Sequence, residues 1–259
     1  MTRYFFSKII ALSAGILLVI IAYNHNSNSL YKINGNAYGT TWSITSTEYI
    51  GDHHIANIES IIERIDFVAS NYKNDSEINK INMNQNKSQF VSNDLFNILK
   101  IAKEVENNSL GYYNIMLGKL SSELGFSPTF NQNPLQKKVS TFELDERNNS
   151  LIKNSDNWFD LSSIAKGYAV QEIHYYLLEN NLSNHLIDIG GELIINGLNN
   201  GKPWSVGIQD PNSIKIKPII MIQNTYSNFL AIATSGEYRN YKFDTDGNRV
   251  THTINPNTL

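Results

Sequence analysis

No cysteine occurs among the 259 residues, so the chain can build no disulfide framework and offers no thiol for lipid attachment. Basic residues are not in excess: 21 Lys and Arg against 24 Asp and Glu leave a net charge of -3. Without a basic face, nucleic acid is excluded as a partner. No stretch rich in Pro, Gly or charge divides the sequence, and neither an internal repeat nor a coiled coil is present. One domain is therefore expected beyond the N-terminus.

Charge is missing altogether from Ile9 to Ile21, a hydrophobic run preceded by Arg3 and Lys8. About 15 apolar residues is the length of a signal-peptide core, while Tyr4 to Tyr23 approaches the roughly 20 needed to span a bilayer. Residues 1–30 are expected to form a signal peptide or membrane anchor, with Asn24–Ser29 as a short polar tether. The bulky Ile20-Ile21-Ala22-Tyr23 offers no small-x-small cleavage site, which favours an uncleaved anchor. The basic end would stay inside, leaving the domain at the cell envelope, held to the inner membrane and facing the periplasm, or exported.

Hydrophobic spacing supplies the elements. Ile55, Ile58, Ile62, Ile65 and Ala69 recur at steps of three and four, one face of a helix ending before Tyr72. A second helix is predicted from an N-cap at Ser92, with Leu95, Leu99, Ala102 and Val105 inward and Asn107-Asn108 at its end. A third carries Ala165, Ala169, Ile173 and Leu177 on one stripe and closes at Asn180-Asn181. The runs Leu186–Ile189, Leu193–Ile195, Trp204–Ile208, Ile219–Ile222 and Phe229–Ala233 read as strands of a mostly antiparallel sheet. Residues 127–149 show no periodicity and read as loop, as does His53-His54. The fold class is α+β.

Four polar clusters stand at the ends of apolar runs: Asp160-Leu161-Ser162-Ser163-Ile164-Ala165-Lys166-Gly167, Asp188-Ile189-Gly190-Gly191-Glu192, Thr234-Ser235-Gly236-Glu237-Tyr238-Arg239, and His252-Thr253-Ile254-Asn255-Pro256. The first opens the third helix, where unpaired N–H groups and the helix dipole attract phosphate. Read structurally, the same residues are a capped helix, with Asp160 or Ser162 as the cap and Lys166 solvated. His252 is the titratable candidate for accepting a proton near neutral pH, and Arg239 could clamp a phosphate.

In order and spacing these clusters, with Tyr38-Gly39-Thr40-Thr41-Trp42, the turn Tyr72–Ile78 with Asn82, and Trp204-Ser205-Val206-Gly207-Ile208, resemble the FAD:protein FMN transferases, the ApbE family, from about Tyr31 to Leu259. The resemblance implies T-fold-like antiparallel sheets with packed helices, and a flavin transferase domain over residues 31–259. It implies FAD and Mg²⁺ as ligands, and an acceptor flavoprotein whose threonine hydroxyl attacks the FMN phosphorus as AMP leaves. Carried across by position, Tyr38, Tyr72, Tyr112, Tyr113, Asn114, Asp160 and Lys166 become FAD contacts, with Thr253 and Ile254 near the ligand, and Ser163 stands on the metal side.

The match has departures. Asn114 stands where the family has Asp, Met116 replaces a common Thr, and Asn255 replaces an Asp. The resemblance also implies a further segment, with a second metal-binding motif, after His252–Pro256, so a C-terminally incomplete domain is expected. An inactive relative that at most binds flavin is the corresponding alternative. Ser163-Ile164-Ala165-Lys166 also satisfies the Ser-x-x-Lys pattern of acyl-serine hydrolases, with Ser163 as nucleophile.

Overall fold

The computed structural model describes residues 2–27, 29–84, 86–128, 138–213, 217–225, 228–236 and 241–259. In chain order it contains helix α1 (Thr2–Ser27), strands β1 (Tyr31–Ala37) and β2 (Thr40–Ser46), and helices α2 (Asp52–Ala69) and α3 (Glu77–Met83). Strand β3 (Ser88–Phe90), helices α4 (Asn93–Asn108) and α5 (Gly118–Glu123), strands β4 (Phe142–Asp145) and β5 (Ser150–Lys153), and helix α6 (Ala165–Glu179) follow. Nine strands come next: β6 (His185–Ile189), β7 (Glu192–Asn196), β8 (Leu198–Asn199), β9 (Lys202–Pro203), β10 (Ser205–Gln209), β11 (Pro218–Gln223), β12 (Leu230–Ala233), β13 (Tyr241–Phe243) and β14 (Arg249–Thr251).

The main sheet runs β1-β2-β6-β7-β12, and every pairing in it is antiparallel. A smaller sheet has the order β3-β5-β4, and the pairs β8-β9, β10-β11 and β13-β14 are separate antiparallel ribbons. The α+β antiparallel expectation holds. Its apolar spacing explains the packing. Ile58, Ile62, Ile65 and Ala69 of α2 and Ala165, Ala169, Ile173 and Leu177 of α6 are buried in one core with Ile44, Ile187 and Ile189 of the sheet. Ser92 caps α4 as predicted, its Oγ accepting from Leu95 N at 3.2 Å.

Two hairpin turns lie side by side at one end of the sheet. Tyr38-Gly39 joins β1 to β2 and Gly190-Gly191 joins β6 to β7, all four with positive φ, as two-residue turns between twisted strands require. Gly190 N donates to Thr41 O at 3.1 Å, and a Cβ on Gly190 would come within 2.6 Å of Thr40.

Two histidines are buried where α6 crosses β6. His185 Nδ1 donates to Leu182 O at 2.7 Å, so its Nε2 accepts from His174 Nδ1 at 2.9 Å. That tautomer leaves His174 Nε2 buried and without a partner among the described residues. Burial first, and His185 second, push the His174 imidazole down to about 4.

Several local expectations need correction. His53-His54 lies in the first turn of α2, where His54 Nδ1 sits 2.8 Å from Tyr176 Oη, because Asp52 starts the helix earlier than the apolar stripe alone indicates. Phe142–Asp145, read as loop, pairs with β5 once Phe142 is buried. Val105 is exposed, the stripe of α4 ending inward at Ala102. Asn24–Ser27, expected within the short polar tether, continues helix α1. Phe6, Ile10, Leu12, Ile16, Leu17, Leu18 and Val19 of α1 are exposed, and among the described residues no helix is long and apolar enough to cross a membrane.

Candidate active site

The Asp160 segment is extended chain leading into α6, and two buried asparagines hold it. Asn82 accepts from Phe159 N at 2.7 Å and donates to Phe159 O at 2.9 Å. Asn71 donates to Phe159 O at 2.7 Å and accepts from Leu161 N at 2.8 Å. Asn79, buried between them, donates to the carbonyls of Ser70, Asn71 and Lys73. An amide side chain carries donor and acceptor side by side, so it pairs with a backbone peptide as a neighbouring strand would. This frame fixes the backbone on both sides of Asp160.

Asp160 then organises the turn ahead of the helix. Its Oδ1 accepts from Ser162 N at 3.0 Å and its Oδ2 from Ser127 Oγ at 2.9 Å. Ser163 Oγ lies 3.1 Å from Tyr113 Oη. Burial raises the pKa of the Tyr113 and Tyr72 phenols, and the Asp160 charge pushes both the same way. Tyr72 Oη donates to Phe126 O at 2.9 Å, and the His252 ring packs edge-on against Phe126 with centroids 6.0 Å apart. The structure thus brings Tyr72, Tyr113, Asp160, Ser163 and His252 into one neighbourhood.

The helix cap differs from expectation. Neither Asp160 nor Ser162 caps α6; Ile164 occupies that position and supplies no side-chain bond. The first turn, with Lys166 and Gly167, presents N–H groups that have no intrahelical acceptor. A Cβ on Gly167 would meet nothing within 4 Å, so the space above this turn is open. Lys166 is not a bare charge: its Nζ lies 2.8 Å from Glu192 Oε2, at the Gly190-Gly191 turn. Across that turn Thr234 Oγ1 donates to Gly191 O at 3.3 Å.

The other sequence candidates are placed as follows. Tyr38 is in the β1-β2 turn, its backbone left-handed and its hydroxyl donating to Ile62 O at 2.8 Å. Burial, then the charge of Asp66, raises its pKa. Asn36–Thr41 line a depression of about 470 Å³ there. Tyr112 is exposed. Asn114 braces its own loop, donating to Glu106 Oε1 and Ser140 O and accepting from Met116 N. Thr253 is exposed and Ile254 half-buried, directly after β14. Arg239 lies outside the described residues. Ser127, Phe126 and Asn71 were not anticipated, nor was the pairing of Glu192, from the second polar cluster, with Lys166. Asn71 adjoins Tyr72 in sequence, but nothing in the sequence says that its amide reaches 88 residues onward to Phe159.

The ApbE family model matches residues 38–259. The chain belongs to the ApbE family. Among its ApbE relatives, the FAD:protein FMN transferase of Vibrio cholerae serotype O1 is 32% identical over 247 residues, covering 87% of this chain and 71% of the relative. That of Haemophilus influenzae is 28% identical, covering 95% and 78%. Two solved ApbE structures are similar, each 26% identical and covering 89% of this chain and 77% of the other. The flavin transferase ApbE from Vibrio cholerae has a TM-score of 0.70, and the ApbE protein from Thermotoga maritima 0.76.

Proposed function

We propose that the chain is a flavin transferase that moves the FMN moiety of FAD to a threonine hydroxyl of an acceptor flavoprotein, releasing AMP. The observation that carries this reading is the uncapped first turn of α6, with Lys166 and Gly167 on it and the clamped Asp160-Ser163 turn in front of it. A pyrophosphate seated there would meet free N–H groups and the Lys166 ammonium. Tyr72 and Tyr113 flank the seat and suit the flat rings of FAD.

Ser163 Oγ and the Asp160 carboxylate are hard oxygen donors, the chemistry Mg²⁺ prefers, and phosphate oxygens and water complete such a shell. When bound, Mg²⁺ neutralises charge on the pyrophosphate and on the departing phosphate. His252, on the Phe126 side of the cluster, takes the proton from the attacking threonine hydroxyl. The new bond joins the threonine oxygen to the FMN phosphorus, and the bond to the AMP oxygen breaks. The exposed apolar side chains of α1 suit attachment to a lipid surface at the cell envelope, and Arg3 and Lys8 ahead of the run from Ile9 to Ile21 suit a domain facing the periplasm. Sedimentation with anionic lipid vesicles before and after removal of residues 1–30 tests that placement.

The deciding experiment is the intact mass of a threonine-bearing acceptor after incubation with the chain and FAD, with and without Mg²⁺. A metal-dependent gain of one FMN is expected; no gain from folded protein overturns the reading. Lys166→Ala is expected to weaken FAD binding about tenfold, near the value of one charge-assisted hydrogen bond, by titration calorimetry. The Ser-x-x-Lys alternative fares poorly because Lys166 is paired with Glu192 and Ser163 with Tyr113. A labelled β-lactam should leave the protein unmodified.

A further inference from the structure

A second cavity, of about 420 Å³, shares only the framing Asn82 with the flavin site and is lined by none of the residues placed as ligand contacts there. Asn82, Met83, Lys119, Lys153, Asp156 and Trp158 contribute to its wall. Its unusual feature is two lysines out of solvent. Lys153, at the end of β5, is only 5% exposed, and among the described residues its ammonium has one hydrogen bond, to Asn82 O at a long 3.5 Å. An ammonium carries three donors, and a buried one so thinly partnered is poised for an anion. Lys119 is as deep, its side chain 6% exposed, and it pairs at 2.7 Å with Asp156, whose own side chain is 79% exposed. Asp156 therefore reaches in from the surface as a resident anion that can swing away.

We propose that this cavity binds a phosphate monoester, with the Lys119 and Lys153 ammonium groups on the phosphate and Trp158 and Met83 against the organic part of the ester. No arginine lines the cavity among the described residues, so the planar fork that favours a carboxylate is missing. Point charges and amides from several sides suit a tetrahedral dianion, and the volume exceeds what phosphate alone fills. Burial, then Lys119, push the Lys153 ammonium down to about 8, against a smaller upward pull from Asp156. Asp156 is held below the usual carboxylate range, mainly by its bond to Lys119. Lys87 also lines the wall, so the groups facing Lys153 are Lys119, Lys87 and Asp156. Above pH 8 Lys153 loses its proton and the cavity loses half of its buried positive charge.

The test is titration calorimetry of the full chain with inorganic sulfate, which stays a dianion across the range, at low ionic strength. With saturating FAD present to fill the α6 seat, one saturable sulfate site is expected, weakened about tenfold by Lys153→Met and about tenfold between pH 7 and pH 9, the worth of one charge-assisted contact. Asp156→Asn should tighten sulfate about threefold, since it removes the competing carboxylate. That change is at an exposed side chain and decides the matter if Lys153→Met fails to fold. Lys166→Ala should leave sulfate affinity unchanged, phenyl phosphate should bind more tightly than sulfate, and malonate less tightly. The proposal is overturned by the lack of a saturable site, by loss of binding in Lys166→Ala in place of Lys153→Met, by no gain in Asp156→Asn, or by malonate as the tightest ligand.

Discussion

The Asp160 segment and the segment ending in His252 meet at Phe126 and Ser127, yet they are held in opposite ways. Around Asp160, Asn71 and Asn82 spend every amide donor and acceptor they offer to that chain on buried backbone groups, inside the core that α2, α4 and α6 share with the sheet. Around His252, the strands have three residues each and β13 is wholly exposed. Its ties to the loop beneath include the ring contact of His252 with Phe126 and the Lys242 ammonium, which donates to Gly125 O and lies 5.3 Å from the Phe126 ring centre. The nucleotide end of the proposed site is built into the core, whereas the proton-accepting end rests on its surface. Such a division lets the substrate be fixed while the acceptor protein gains access.

The comparison is broken most severely at Asn82. Asn82→Ala strands Phe159 N in the interior and leaves Phe159 O to Asn71 alone, and a buried unpaired group costs about 1–3 kcal/mol. Urea denaturation should show a loss of about 3 kcal/mol, among the larger effects a single change produces. His252→Ala sharpens the contrast from the other side: the transfer rate should fall about a hundredfold, the usual worth of one positioned proton acceptor, with the urea midpoint unchanged. A matching loss of stability would mean that His252 is packing, not chemistry.

Between neutrality and about pH 4.5, mild acid should act on the buried histidine pair of the core. The His174 pKa lies at about 4 in the fold against 6.5 in the unfolded chain. Between those values the unfolded state binds the extra proton, so stability is greatest above pH 6.5 and falls as pH drops toward 4. Denaturation midpoints measured from pH 7.5 to 4.5 should decline, and His174→Phe should flatten the curve. The smallest effect is expected at the exposed Phe243 of β13, where Phe243→Ser should change stability by less than about 0.5 kcal/mol.

The sequence made the contrast half legible. Periodicity located α2, α4, α6, β6 and β7, because each buries a face against the core, whereas β10, β11 and β12 were legible as apolar runs alone, β11 being largely exposed. It missed β4, a four-residue strand whose one deeply buried residue, Phe142, leaves no alternation to read. The polar clusters marked Asp160, Ser163, Lys166 and His252, since such residues at the ends of apolar runs have few structural uses. The cap of α6 was misjudged because an aspartate ahead of a helix can equally bond within its own turn, as Asp160 does to Ser162 N. Long-range partners, Glu192 for Lys166 and the asparagines for Phe159, leave no local pattern and needed the fold itself.

The empty space over Gly167 has a practical consequence. In a chain without cysteine, a thiol introduced at the open mouth of the ligand seat would be the sole thiol of the molecule. Gly167→Cys would carry a single fluorophore or spin label on the first turn of α6, so that arrival of FAD, of the acceptor, or of both could be timed as separate optical or magnetic events on the unaltered remainder of the molecule.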